Sequence, residues 1–203
     1  MKIKILNKIP HILLYSRLVV AILLVIFSFL QVSPVVIVAL SIYAILSDVF
    51  DGIIARHLKI STQDMRRMDT KIDTVFWFSC LFYICINHHA FLKSHLLQIG
   101  VLVFSEFFII GFGFIKFQER ISYHTILSKF WAILLLWFFI DLVLNNTCYI
   151  SFNISFWYGM VVQIEILLIA IILKNPQTDV PGLIPAIKLR KGMKIKRNRL
   201  FNG

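Results

Sequence analysis

Charge is what this sequence has least of. Charged residues make up only 15% of its 203 positions, against roughly a quarter in an ordinary soluble domain. Acidic residues are scarcer still, 10 Asp and Glu against 21 Lys and Arg. Cysteine is also rare: Cys80, Cys85 and Cys148 lie in or beside apolar runs, without metal-ligand spacing, which excludes a disulfide framework or a thiolate metal site. No internal repeat or low-complexity stretch breaks the chain. Hydrophobic residues, by contrast, reach 59%, too many to hide inside a water-soluble globule of this size. A polytopic membrane protein is the class that remains.

A spanning helix needs about 20 mostly apolar residues. Segments 12–30, 34–54, 68–87, 95–115, 125–145 and 151–173 qualify, which predicts an all-α integral membrane protein with six transmembrane helices. Pro10 and Pro34 stand at the starts of the first two, where a missing N–H costs least. Asn87-His88-His89, Asn145-Asn146-Thr147 and the stretch from Lys116 to Arg120 read as turns. Lys2, Lys4 and Lys8 resemble a signal-peptide n-region. The apolar run behind them is too long, and no small-residue cleavage site follows, so an uncleaved first span is expected. Residues 1–11 read as a short amphipathic segment on the interface. Residues 12–173 read as the membrane domain, and residues 174–203 as a basic tail.

All but one of the 21 Lys and Arg fall in segments that share one side of a six-span topology, Lys93 being the exception. By the positive-inside rule both termini are expected in the cytoplasm. The basic run from Lys188 to Arg199 is expected to rest on anionic membrane lipid, and no nucleic-acid partner is expected.

Five of the ten acidic residues, Asp48, Asp51, Asp64, Asp69 and Asp73, crowd into one short stretch. A charge at mid-membrane costs about 2.5–3.5 kcal/mol on insertion scales and is functional by default. Asp48 and Asp51 are three apart, Asp69 and Asp73 four apart, so each pair shares a helix face. If the two helices are antiparallel neighbours, four carboxylates converge near the cytoplasmic surface and repel strongly in low dielectric. Divalent cations would neutralise them, and all-oxygen ligation favours Mg²⁺ or Mn²⁺. Gly52 and Ala55 allow close approach to the same helix, and Arg56 suits phosphate oxygens. The combination points to phosphate chemistry on a lipid-linked substrate.

These residues resemble a known family. The run Asp48-Val49-Phe50-Asp51-Gly52-Ile53-Ile54-Ala55-Arg56, followed by Asp69-Thr70-Lys71-Ile72-Asp73, is similar to the signature of the CDP-alcohol phosphotransferases, D-x2-D-G-x2-A-R-x8-G-x3-D-x3-D. Every fixed position is kept except the second glycine, which is Met65 here. Pro10-His11-Ile12-Leu13-Leu14-Tyr15-Ser16-Arg17 resembles a weakened form of the family's P-N-x-L-T-x-x-R start, and Ser128-Lys129 its later G-K pair. A glycine at 65 would permit a positive φ or a tight approach before span three, so methionine implies a different local backbone or a divergent branch.

The resemblance implies transfer of a phosphatidyl group from a CDP-linked lipid, such as CDP-diacylglycerol, to an alcohol, with release of CMP. It implies that Asp48, Asp51, Asp69 and Asp73 hold two Mg²⁺ or Mn²⁺ ions and that Asp73 is the general base. Asp48, Gly52, Ala55, Arg56 and Thr62 would hold the nucleotide. Arg66, Arg67, Lys116, Arg120 and Lys129 are weaker candidates for a cationic pocket around an acceptor such as glycerol 3-phosphate. A homodimer in the bacterial cytoplasmic (inner) membrane, its site facing the cytoplasm, is the expected setting. The competing class is a small ion or solute transporter using the intramembrane Glu106 and Glu165.

Overall fold

The structure, a computed structural model, describes residues 9–58, 60, 62–121, 123, 125–178, 180–193 and 195, with the side chains of Arg56 and Gln63 outside that description. The described residues form helices α1 (Ile9–Phe27), α2 (Pro34–His57), α3 (Gln63–Asn87), α4 (His89–Ser94), α5 (Leu96–Phe117), α6 (Ile126–Asn145), α7 (Tyr149–Ile172) and α8 (Leu183–Arg190). They belong to two compact units, one drawn from Met1–His95 with Phe139–Cys148, the other from Leu96–Phe138 with Tyr149–Gly203.

In the first unit α1 packs against both α2 and α3. Its buried residues Pro10, Leu14, Arg17, Ala21 and Leu24 recur every three or four positions, a single seam down one side. The facing stripe of α2 is made of small residues: Ser41, Ala44, Ser47, Asp51 and Ala55 are all buried. Small side chains let the helix backbones approach closely where lipid supplies no hydrophobic drive for association. Their hydroxyls are satisfied within the helix, Ser41 donating to Ile37 O at 2.9 Å and Ser47 to Ala44 O at 2.7 Å. Thr62 caps α3 by accepting the Met65 N–H at 3.2 Å, and Asp64 complements the dipole in the first turn. Asn87 ties the far end of α3 to α1 by donating to Ser28 O at 3.2 Å.

In the second unit α7 packs on α5 and α8. Gly159 of α7 lies under the Trp131 indole, which would stand 2.6 Å from an added Cβ. The indole Nε1–H donates to Ser155 O at 3.0 Å, and the Ser155 hydroxyl donates to Leu134 O at 2.8 Å. Asn146, in the segment that belongs to the first unit, adopts a left-handed φ of 53° and terminates α6 at the turn expected there. Phe117, Tyr123, Ile169, Leu173, Val180 and Ala186 form a buried cluster, so part of the stretch read as tail folds against α7. The basic residues beyond 195, and the interfacial segment before Ile9, lie outside the described residues.

Among the described residues, five helices are long and apolar enough to cross a membrane: Ile9–Phe27, Pro34–Ala55, Leu96–Phe117, Ile126–Asn145 and Tyr149–Ile172. Their outer faces carry side chains such as Ile12, Leu97, Phe104 and Ile115, each more than half exposed, which need hydrocarbon rather than water. The third of the six expected spans lies within α3 and is not among the five. Its first half carries Asp64, Arg66, Arg67, Asp69, Lys71 and Asp73, and only the run after Thr74 is apolar.

Candidate active site

The candidate site lies in the first unit, where α1, α2 and α3 meet. Asp48 and Asp51 stand one turn apart on α2, and Asp69 and Asp73 one turn apart on α3. One carboxylate oxygen from each of Asp48, Asp51 and Asp69 lies within 4.8 Å of the other two. The convergence expected from spacing is therefore present, and a residue from α1 stands inside it. Arg17 Nη1 is 3.0 Å from Asp48 Oδ1 and 3.1 Å from Asp69 Oδ1, and it also donates to Asp73 Oδ1. Arg17 Nη2 donates to Asp51 Oδ2 at 2.5 Å.

Burial grades across the cluster. The Arg17 side chain is 1% exposed and Asp51 4%, while Asp69, Asp73 and Asp48 reach 19%, 29% and 36%. The site is thus closed on the Arg17 and Asp51 side and open on the Asp48 and Asp73 side. Four ionised carboxylates against one guanidinium leave a surplus of negative charge, which low dielectric makes costly. Hard oxygen donors in this number, this close together and open to one side, fit a divalent ion that keeps some of its ligands for water or phosphate. The guanidinium marks the place as one that holds a cation.

The remaining motif positions are dispersed around this centre. Ala55 is buried one turn beyond Asp51, and Gly52 is half-buried beside it. Arg56 follows on α2, its side chain outside the description. The Thr62 oxygen is engaged as the cap of α3. Met65 occupies the first turn of α3 as a buried residue, and the only positive-φ residues other than glycine among those described are Gln118 and Asn146. The helix begins before position 65, so this backbone asks for no glycine conformation there. Arg66 and Arg67 lie on α3 one turn ahead of Asp69 and are half-buried.

Lys116, Arg120 and Lys129 belong to the second unit. Lys116 Nζ donates to Ala170 O at 2.7 Å and Ile171 O at 2.8 Å, and Arg190 Nη1 donates to Ile172 O at 3.2 Å. These cations satisfy the last carbonyls of α7 and complement its dipole, which gives Lys116 a structural task. Arg120 Nη2 lies 3.9 Å from Glu106 Oε1. Lys129 stands in the first turn of α6, after Thr125, whose hydroxyl oxygen accepts the Ser128 N–H at 3.1 Å. Of the two glutamates considered for an ion path, Glu106 thus faces Arg120. Glu165 has one buried carboxylate oxygen without a hydrogen-bond partner among the described residues.

Sequence reasoning named the four aspartates and left Arg17 without a role. The signal was there: a lone cation on an otherwise apolar helix seam is costly unless it meets acids. Among known proteins, the family model for CDP-alcohol phosphatidyltransferase matches residues 7–172. No curated protein and no solved structure matches the chain.

Proposed function

Because the chain belongs to the CDP-alcohol phosphatidyltransferase family, a family of transferases for phosphate-containing groups, we propose that it transfers the phosphatidyl group of a CDP-linked lipid such as CDP-diacylglycerol to a small polar alcohol. The observation that carries this reading is the meeting of Asp48, Asp51 and Asp69 within 4.8 Å, with Asp73 held on the same guanidinium. The acceptor oxygen forms a bond to the lipid-side phosphorus, the bond from that phosphorus to the CMP oxygen breaks, and CMP leaves as an anion.

The reading gives each residue a task. Asp48, Asp51 and Asp69 would hold Mg²⁺ or Mn²⁺, and Asp73 would complete a two-ion site. Bound there, the ions supply charge neutralisation at the pyrophosphate and at the departing CMP. Asp73, one turn beyond Asp69 and 29% exposed, accepts the proton of the acceptor hydroxyl. Gly52 and Ala55 leave room for the nucleotide beside α2, Arg56 pairs with phosphate, and the Thr62 hydroxyl, while capping α3, retains its own proton to donate. Arg66 and Arg67, in the same unit as the aspartates, are the first choices for the charge of a phosphorylated acceptor such as glycerol 3-phosphate, and Lys129 the next. With α3 counted as a sixth span, both termini face the cytoplasm, and so does the site. The basic tail then lies against anionic lipid of a bacterial inner membrane, where two copies of the chain pair.

A transporter needs a continuous path for its cargo, and the family reading requires none. The test is CMP release by detergent-purified protein given CDP-diacylglycerol, Mn²⁺ or Mg²⁺, and a panel containing glycerol 3-phosphate, serine, inositol, inositol phosphate, ethanolamine and choline. Release that depends on metal and on one alcohol is expected and names the acceptor. Absence of both CMP release and CDP binding would refute the reading.

A further inference from the structure

Arg17 takes no part in the transfer steps above, yet its guanidinium touches all four aspartates. Nη1 reaches Asp48, Asp69 and Asp73, and Nη2 reaches Asp51. Through these contacts one side chain of α1 ties together α2 and α3, the two helices that supply the carboxylates. Its Nε–H is buried without a hydrogen-bond partner among the described residues. The charged head is therefore held by carboxylates, and burial at 1% exposure would be prohibitive without them.

The oxygens that Arg17 engages come from the same three residues that could ligate an ion. Asp48, Asp51 and Asp69 offer ligand atoms within 4.8 Å, and the guanidinium lies 2.5–3.1 Å from an oxygen of each. A metal ion must bond such oxygens directly, at about 2.0–2.1 Å for Mg²⁺, and a guanidinium ion-paired with the same groups stands in its way. Without any cation the four carboxylates would push α2 and α3 apart.

We propose that Arg17 is the resident counter-cation of this site: it holds the four carboxylates assembled before metal arrives and competes with metal for Asp48, Asp51 and Asp69. This rests on the metal-site reading given above. Arg17 is a positioning residue in this scheme, acting on the reaction only through the carboxylates.

The experiment uses the full chain in detergent, purified in Mn²⁺ and then chelated, as wild type, Arg17→Gln and Arg17→Lys. Mn²⁺ binding is read by electron paramagnetic resonance, and thermal unfolding is followed with and without Mn²⁺. After chelation Arg17→Gln unfolds at a lower temperature than wild type, and Mn²⁺ raises its Tm by more than it raises that of wild type. Its affinity for Mn²⁺ is at least about tenfold tighter, the minimum expected on removing a unit charge from beside the ion. Arg17→Lys keeps one charge but not the fork that reaches four carboxylates. It falls between the two and serves alone if Arg17→Gln does not fold. A packing role would lower Tm equally with and without Mn²⁺ and leave affinity unmoved, which overturns the proposal. So would affinity weaker than wild type in both variants, and in either case the metal site itself would stand. Absence of Mn²⁺ binding in all three proteins would overturn the metal-site reading and this inference together.

Discussion

Replacing Asp51 by asparagine tests whether the acidic cluster is in electrostatic balance. Asp51 is the most buried of the four acids, and its Oδ2 accepts from Arg17 Nη2 at 2.5 Å. At an effective dielectric of 20 that attraction is about 6.6 kcal/mol. Its repulsions from Asp48 and Asp69, across no more than 4.8 Å, come to about 3.5 kcal/mol each on the same scale. The attraction lost and the repulsion relieved nearly cancel, and the asparagine oxygen can still accept a hydrogen bond from Arg17. Asp51→Asn should therefore leave the metal-free protein within about 1 kcal/mol of wild type, a Tm change of about 2–4 °C for a chain of this size. Metal binding should suffer far more, by tenfold or greater, because one of three converging ligands is gone. The assay is thermal unfolding in detergent after chelation and again in Mn²⁺, with Mn²⁺ affinity measured in parallel. A metal-free loss above about 3 kcal/mol, the usual cost of breaking a buried ion pair, would refute the reasoning. Such a loss would mean that the carboxylates do not repel one another as four ionised groups must.

Asp73→Asn should fold and bind CDP but lose turnover by about 10²-fold or more, the scale of a missing general base; single-turnover CMP release unchanged from wild type would remove Asp73 from that role. Gly159→Ala places a Cβ 2.6 Å from the Trp131 indole and should cost about 1–3 kcal/mol of stability by overpacking, seen as a lower Tm, with activity per folded molecule kept. Lys116→Met removes the donor to the Ala170 and Ile171 carbonyls and should lower Tm by the equivalent of about 1–3 kcal/mol. The KM for the acceptor should not move if the role is structural alone; a raised acceptor KM at unchanged Tm would show that Lys116 binds the acceptor.

The parts of this protein that were legible in its sequence are those governed by local spacing. Three- and four-residue intervals placed Asp48 with Asp51 and Asp69 with Asp73 on common faces, and Asn146 announced the end of a helix. What spacing could not give was any fact that depends on a distant segment. Lys116 read as a cation beside a turn, and only the fold brings it to the carbonyls of Ala170 and Ile171, more than fifty residues away. Met65 read as a departure because the signature has glycine there, just before a span expected from residue 68, whereas the Thr62 cap starts that helix at Gln63 and position 65 lies inside it. The third span was expected over residues 68–87 because they are mostly apolar, a count that hid how unevenly the charges are spread along α3.

Arg17 shows most clearly what kind of information was missing. It closed a weakened motif and was counted with the N-terminal lysines as a positive-inside residue, and that bookkeeping treats every cation near a helix end as solvated. Its neighbours on the helix face argue otherwise. Leu14, Ala21 and Leu24 are buried on the same seam, so a cation at position 17 must point inward with them. An inward cation needs acids, and the chain has a surplus of acids in one place only. With that burial known, helical period and the cost of an unpaired buried charge together bring Arg17 to the four aspartates. The same step extends beyond this chain: in a membrane helix, a basic residue in register with the buried face should be matched to the acids before it is counted toward topology.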